Sequence, residues 1–240
     1  MTKGTLDVFE TPLYRVSDAA AYLGVPPSTF QTWARGYRRP RAGRTDTTVS
    51  PVITSVPAAR GEPTIPFVGL AEGLVLTAVR EAGVPLQRIR PAIDFLRNRI
   101  GVEHALASRR LYTDGAEIIF DFGQENEGGA NTARDLVVVR NGQRMFSEIV
   151  ERYLSRLEFG NDNYVRLIHL PEYNGAGVDV VADPQRSFGQ PIFAHGGAKV
   201  VDVLDRFRSG EQLASLAEDF GLTVPDLENV LRVVASRVAA

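Results

Sequence analysis

The stretch whose reading decides the fold is residues 14–37, Y-R-V-S-D-A-A-A-Y-L-G-V-P-P-S-T-F-Q-T-W-A-R-G-Y. Ser17 or Asp18 can cap a first short helix, since their side-chain oxygens accept from the unpaired amides of a first turn. That helix runs to about Leu23, and Gly24 supplies the left-handed residue that commonly ends one. Pro26 and Pro27 suit the entry to a second helix, where a missing N–H costs nothing, and place Ser28 to Ala34 inside it. Ala20, Leu23, Val25, Phe30 and Trp33 then form the apolar seam between the two. The pattern predicts a helix-turn-helix, whose second helix lies in the major groove with its N-terminal side chains on base edges. The residues at those positions are Ser28, Thr29, Gln31 and Thr32. Glutamine can pair with adenine, and the hydroxyls can bond base or phosphate acceptors.

Directly after Trp33 comes a basic run, Arg35, Arg38, Arg39, Arg41 and Arg44, interleaved with Gly36, Tyr37 and Gly43. Beside a reading helix these arginines are expected on backbone phosphates, with one able to enter a minor groove. The whole chain carries a formal charge of −2, which says little, because local charge decides phosphate binding. Residues 1–48 hold seven Lys and Arg against four Asp and Glu, a net of +3, whereas residues 183–240 hold six against eight, a net of −2. The cationic surface is therefore at the front. Thr47-Thr48-Val49, Val52-Ile53 and Val56 predict short strands or a wing-like loop within residues 45–66.

Helical spacing predicts helices over residues 70–82 and 85–98, the latter with Leu86, Ile89, Ile93 and Leu96 on one face. A strand is expected over residues 116–122. Residues 137–139 and 144–146 read as a hairpin about Asn141-Gly142, a pair that tolerates positive φ. An amphipathic helix is expected over residues 147–159, with Ile149, Val150, Tyr153, Leu154 and Leu157 on the core side, then strands over 164–170 and 178–181. After Asp183-Pro184 come a glycine-rich loop and helices over 200–207, 212–220 and 225–236. The spacing Ala20-x-x-x-Gly24-Val25 returns as Ala217-x-x-x-Gly221-Leu222. The second helix of that echo carries Asp226, Glu228 and Asn229, which oppose phosphate, so packing or protein binding is expected there. The stripe Val200, Val203, Leu204 and Phe207 must be covered, either by the tail's own Leu213, Leu216, Leu227 and Val230 or by a protein partner.

Several classes are set aside. A composition of 44% hydrophobic and 23% charged residues is that of a folded globular chain. Neither a long apolar run nor a signal-peptide core is present, so no membrane association is expected. With no cysteine, disulfides and thiolate metal sites drop out, and a reducing cytoplasm is the simplest compartment. His104, His169 and His195 are too scattered for a metal site, and no cofactor is expected. The loop at residues 188–197 lacks the lysine and hydroxyl ending of a phosphate loop, so it reads as a structural turn. His195 has no nucleophile beside it, His169 sits in an apolar strand as a packed or hydrogen-bonded residue, and Asp121, Glu125 and Glu127 read as a solvated loop. No catalytic set is found, and the chain is expected not to be an enzyme.

Two stretches resemble known families. Residues 14–37 resemble the MerR-type helix-turn-helix, with its aromatic-x-x-Ser start, Gly-Val turn and Thr-Phe-x-x-Trp second helix. Asp183-Pro184, Gly189-Gln190-Pro191-Ile192-Phe193, Gly210-Glu211 and residues 213–230 resemble, in order, a small antitoxin domain long catalogued as of unknown function. Together they resemble the larger VapB-type antitoxins. One element departs: Gly196-Gly197-Ala198 and then Lys199 stand where that domain usually has Gly-Thr-Arg. The resemblance implies a PIN-domain ribonuclease toxin as partner, its acidic metal-binding pocket blocked. It also implies repression of the chain's own operon through operator DNA, and a homodimer. The expected fold class is α+β: a winged helix-turn-helix over residues 1–65, a mixed linker or dimerisation region over 66–182, and a helical, helix-turn-helix-like domain over 183–240. The other reading is a MerR-like transcription regulator gated by a small ligand in the mixed middle.

Overall fold

The computed structural model describes residues 6–41, 44–126, 129–140 and 143–238. Helix α1 spans Val16–Leu23 and α2 spans Pro27–Arg35. An antiparallel hairpin follows, β1 (Tyr37–Arg41) with β2 (Arg44–Val49), paired from Tyr37 with Val49 to Arg41 with Arg44. The chain then loops back so that Ile65 and Tyr14 exchange backbone hydrogen bonds of 3.0 Å, which brings the two ends of this segment together. Phe30 and Trp33 pack against each other in the seam, with Ala20, Leu23 and Val25 buried beside them.

Helix α3 (Phe67–Glu81) is the hub. Every residue from Phe67 to Val79 is buried, the mark of a helix with protein on all sides. It packs on α1 and α2 at one side and on α7 (Glu148–Leu154) at the other. Gly73 makes the first contact possible. A Cβ there would lie 2.6 Å from Phe30 Cε2 and 3.0 Å from Leu23 Cδ1. Glu72, one residue earlier, is a carboxylate only 1% exposed. It accepts the Thr54 amide at 2.5 Å and lies 3.8 Å from His104 Nδ1, while Thr54 Oγ1 pairs with that nitrogen at 3.0 Å. A buried carboxylate is tolerated when its lone pairs are met in this way. The cluster ties the segment leaving the hairpin to α3.

Beyond the hub lie α4 (Leu86–Ile100), α5 (Arg109–Glu125), α6 (Gly129–Leu136) and a second hairpin of β3 (Val137–Arg140) with β4 (Gln143–Phe146). An antiparallel sheet in the order β5-β6-β7-β8 comes next: β5 (Leu157–Phe159), β6 (Val165–His169), β7 (Val180–Ala182) and β8 (Ile192–Phe193). The short helix α8 (Pro171–Asn174) joins β6 to β7 and packs on both α1 and α11. The tail is α9 (Val200–Arg208), α10 (Leu213–Phe220) and α11 (Val224–Val238). Tyr14 Oη donates to Gly189 O at 2.8 Å in the interior, which stitches the start of the helix-turn-helix to the tail; burial, with Tyr22 and Asp183 adding to it, pushes the Tyr14 phenol well up.

Several expectations change. Residues 116–122 are not a strand; they lie inside α5. Leu111, Gly115, Ala116, Ile119, Phe122 and Gly123 are buried at helical spacing, so packing on one face overrides the β-branched and aromatic composition. Asp121 and Glu125 therefore sit on a helix and not in a loop, and Glu125 pairs with Arg99 of α4. Glu127 and the Asn141-Gly142 turn lie outside the described residues. The helix expected over residues 147–159 stops at Leu154, and Leu157 goes on to pair with Ile168 as a strand; Ile149 is exposed. Val52 and Ile53 are buried but outside any strand. Neither Ser17 nor Asp18 caps α1. The helix begins at Val16, with Arg15 at the cap position and no side-chain cap, and Ser17 bonds Asp18 instead.

Candidate nucleic-acid interface

Helix α2 presents two different flanks. Phe30, Trp33 and Ala34 are buried. Ser28, Gln31 and Arg35 are exposed, and their spacing sets them in one line along the outer face. Thr29 and Thr32 are half-buried on the neighbouring flank, where they line a cleft of about 310 Å³ with Leu76, Arg80 and Leu86 of α3 and α4. Thr32 Oγ1 donates to Ser28 O at 2.9 Å, so its hydroxyl proton is used within the helix and only its acceptor lone pairs remain for a ligand.

The wing starts one residue after α2. Gly36 has φ +67°, and a Cβ there would lie 1.9 Å from Val49 O, so only glycine lets the chain swing from the helix into β1 against the end of β2. The sequence placed the strands within residues 45–66. The hairpin begins earlier and takes in the basic run itself: Arg38, Arg39 and Arg41 are on β1 and Arg44 is on β2. Their side chains lie outside the described part. The base of the wing is pinned from α4, where Arg90 Nη1 donates to Ser50 O at 2.5 Å and Arg97 Nη2 to Val52 O at 2.7 Å. Burial lowers the Arg90 pKa, and the nearby Tyr37 and Asp94 act against that. Sequence spacing gave no sign of these two arginines, because their partners are backbone carbonyls some 40 residues away.

The tail repeats the helix-turn-helix geometry with other chemistry. Gly24 and Gly221 both take the left-handed conformation, and Val25 and Leu222 both donate back to the alanine five residues earlier, at 3.0 and 2.9 Å. At the start of α11, however, Asp226 Oδ2 accepts from the amide and hydroxyl of Thr223, and Thr223 Oγ1 accepts the Asp226 amide. That is a capping box, which gives Asp226 a structural role. Val200, Val203 and Leu204 are buried within the fold, and only Phe207 of that stripe remains exposed. The apolar stripe therefore gives no argument for an outside partner. His169 bonds Asp179 and Glu158 across the sheet, and His195 is exposed in the turn after β8. Among the described residues no group of three or more His, Asp or Glu gathers in a way that could hold a metal ion. No helix among them is long and apolar enough to cross a membrane.

This architecture, a short helix-turn-helix followed by an arginine-bearing hairpin on an α+β body, is that of a helix-turn-helix DNA-binding protein. Comparisons agree. Residues 12–93 match a family described as "Putative DNA-binding HTH domain", and residues 180–232 match "Protein of unknown function (DUF433)". Over 232 residues the chain is 44% identical to "Putative antitoxin VapB45" of Mycobacterium tuberculosis (strain ATCC 25618 / H37Rv), covering 95% of this chain and 96% of that one. It is 26% identical over 228 residues to "Uncharacterized protein Rv2308" of the same strain, covering 93% of this chain and 90% of that one. The crystal structure of Rv2018 from Mycobacterium tuberculosis superimposes with a TM-score of 0.80 at 42% identity, covering 94% of this chain and all of that one. The chain belongs to the family of VapB45-like antitoxins.

Proposed function

We propose that the chain is the antitoxin of a type II toxin–antitoxin pair, one that binds operator DNA and represses its own operon. The observation that carries the DNA half is the exposed line Ser28, Gln31 and Arg35 on a helix whose other face is locked in the core by Phe30 and Trp33. Ser28, Thr29, Gln31 and Thr32 meet the major groove, Thr32 as an acceptor. Arg35, Arg38, Arg39, Arg41 and Arg44 hold phosphates along the helix end and wing. The likeness to a protein named as an antitoxin supports the other half. In this reading the partner is a PIN-domain ribonuclease, the working form is a homodimer in the cytoplasm, and the chain itself catalyses nothing. Residues 1–65 serve as the DNA-binding segment, 66–182 as linker and dimerisation region, and 183–240 as the antitoxin-type tail.

The test is co-expression of tagged chain with the protein encoded beside it, followed by mass measurement of the purified complex and a ribonuclease assay. Capture of a PIN-domain nuclease, silent in the complex and active once freed, is the expected result. A chain that binds DNA alone and releases it on adding a small metabolite would replace this reading with that of a ligand-gated regulator.

A further inference from the structure

The loop that follows the wing holds a cationic group outside the basic run. Residues 57–62, Pro-Ala-Ala-Arg-Gly-Glu, are exposed. The loop is nevertheless closed at its neck, where the Val56 amide donates to Thr64 O at 2.8 Å, and at its tip, where the Glu62 amide donates to Ala59 O at 3.1 Å. Between it and the end of α2 is a cleft of about 530 Å³, whose lining includes Arg35, Arg60, Ser55 and Thr64 and no carboxylate. Among the described residues neither arginine has an ion-pair partner.

The end of a helix is ordinarily a poor place for an anion, because its last carbonyls carry the negative end of the dipole. Here three of the last four carbonyls already accept hydrogen bonds. Thr32 O accepts the Gly36 amide at 3.0 Å, Trp33 O accepts the Val52 and Ile53 amides at 2.8 and 3.3 Å, and Ala34 O accepts Ser55 Oγ at 2.8 Å. The two guanidinium groups are the charged side chains of the lining and set the sign of the cleft. Its position also matters. Arg35 ends the exposed line that begins at Ser28, about 10 Å along the helix axis, so a duplex lying on that line runs onto the cleft.

We propose that this cleft is a further binding site for the sugar–phosphate backbone of duplex DNA, with Arg60 from the 55–64 loop and Arg35 from the end of α2 holding phosphate. The inference rests on the DNA-binding reading above and adds a second arm to it, separate from the wing. Glu62, exposed on the same loop but absent from the cleft lining, opposes the contact and limits its strength.

The experiment uses the full chain, one duplex from the DNA upstream of its own reading frame, and a scrambled duplex of equal length. Binding is measured over a range of salt. Arg60→Ala, at an exposed position, should melt like the parent and lose several-fold affinity for both duplexes alike, with the salt slope shallower by about 0.9 per lost phosphate contact. Arg60→Lys should keep most of the slope, and Glu62→Gln should tighten binding to both duplexes. Parent binding with an Arg60→Ala curve that overlays it in affinity and slope overturns the inference and leaves the DNA reading in place. A parent chain that binds neither duplex overturns both.

Discussion

Replacing glycine by alanine inside a helix ordinarily stabilises it by about 1 kcal/mol, because glycine has the larger conformational entropy to lose. At Gly73 the opposite is expected. The new Cβ would lie 2.6 Å from Phe30 Cε2, 3.0 Å from Leu23 Cδ1 and 3.2 Å from Phe30 Cζ. Phe30 is 0% and Leu23 2% exposed, so neither ring nor methyl can relieve the overlap by turning out into solvent. Overpacking of this kind costs about 1–3 kcal/mol, and an overlap of roughly an ångström belongs in the upper part of that range. After the helix-propensity gain, Gly73→Ala should lose about 1–2 kcal/mol in urea unfolding. It should also weaken DNA binding, because relief of the clash pushes α2 off its seat on α3. A variant as stable as the parent or more so, with unchanged DNA affinity, would show that α3 does not fix the position of α2.

The two faces of α2 separate in the same assay. Trp33→Ala, at a residue 3% exposed, should cost about 3–5 kcal/mol, while Gln31→Ala should stay within about 0.5 kcal/mol of the parent. Equal losses would mean the faces are assigned wrongly. His169 should give the stability a pH slope. Burial opposes its charge, but hydrogen bonds to Asp179 and Glu158 outweigh burial and raise its pKa above the ordinary imidazole value. The charged form's contribution is complete below about pH 6.5 and fades as pH rises through the raised native value. His169→Gln should flatten melting temperature against pH over that range, and a curve parallel to the parent's would refute the assignment.

The front of the molecule was legible because its signals are local. A Gly-Val turn, two prolines and five apolar positions within residues 14–37 specify two helices and their seam with no help from the rest of the chain. The middle was not, because its elements are decided by distant partners. Residues 116–122 have strand-forming composition, yet α5 packs on α4 and α6 and burial at helical spacing wins. Leu157 belongs to a sheet completed by Ile168, which nothing near residue 157 announces. The site divides in the same way. The polar outer face of α2 and the basic run were visible as a sequence pattern, and so was a wing. Glu72 beneath Thr54, Arg90 and Arg97 at the wing base, and Arg60 across the cleft from Arg35 were not. The first three bond residues brought near only by the fold, and Arg60 shares a cleft with Arg35 for the same reason. A lone buried glutamate amid the apolar run of α3 was the one available hint, since such a residue needs a partner.

The central claim is that the outer face of α2 reads sequence in duplex DNA. Its most direct test is the ratio of affinities for the upstream duplex and a scrambled duplex, measured at one salt concentration for the parent, Gln31→Ala and Ser28→Ala. The account predicts a clear preference in the parent and a loss of about 1–3 kcal/mol of that preference in Gln31→Ala, with affinity for the scrambled duplex nearly unchanged. A parent that binds both duplexes equally, or a Gln31→Ala variant that keeps the full preference, would contradict it.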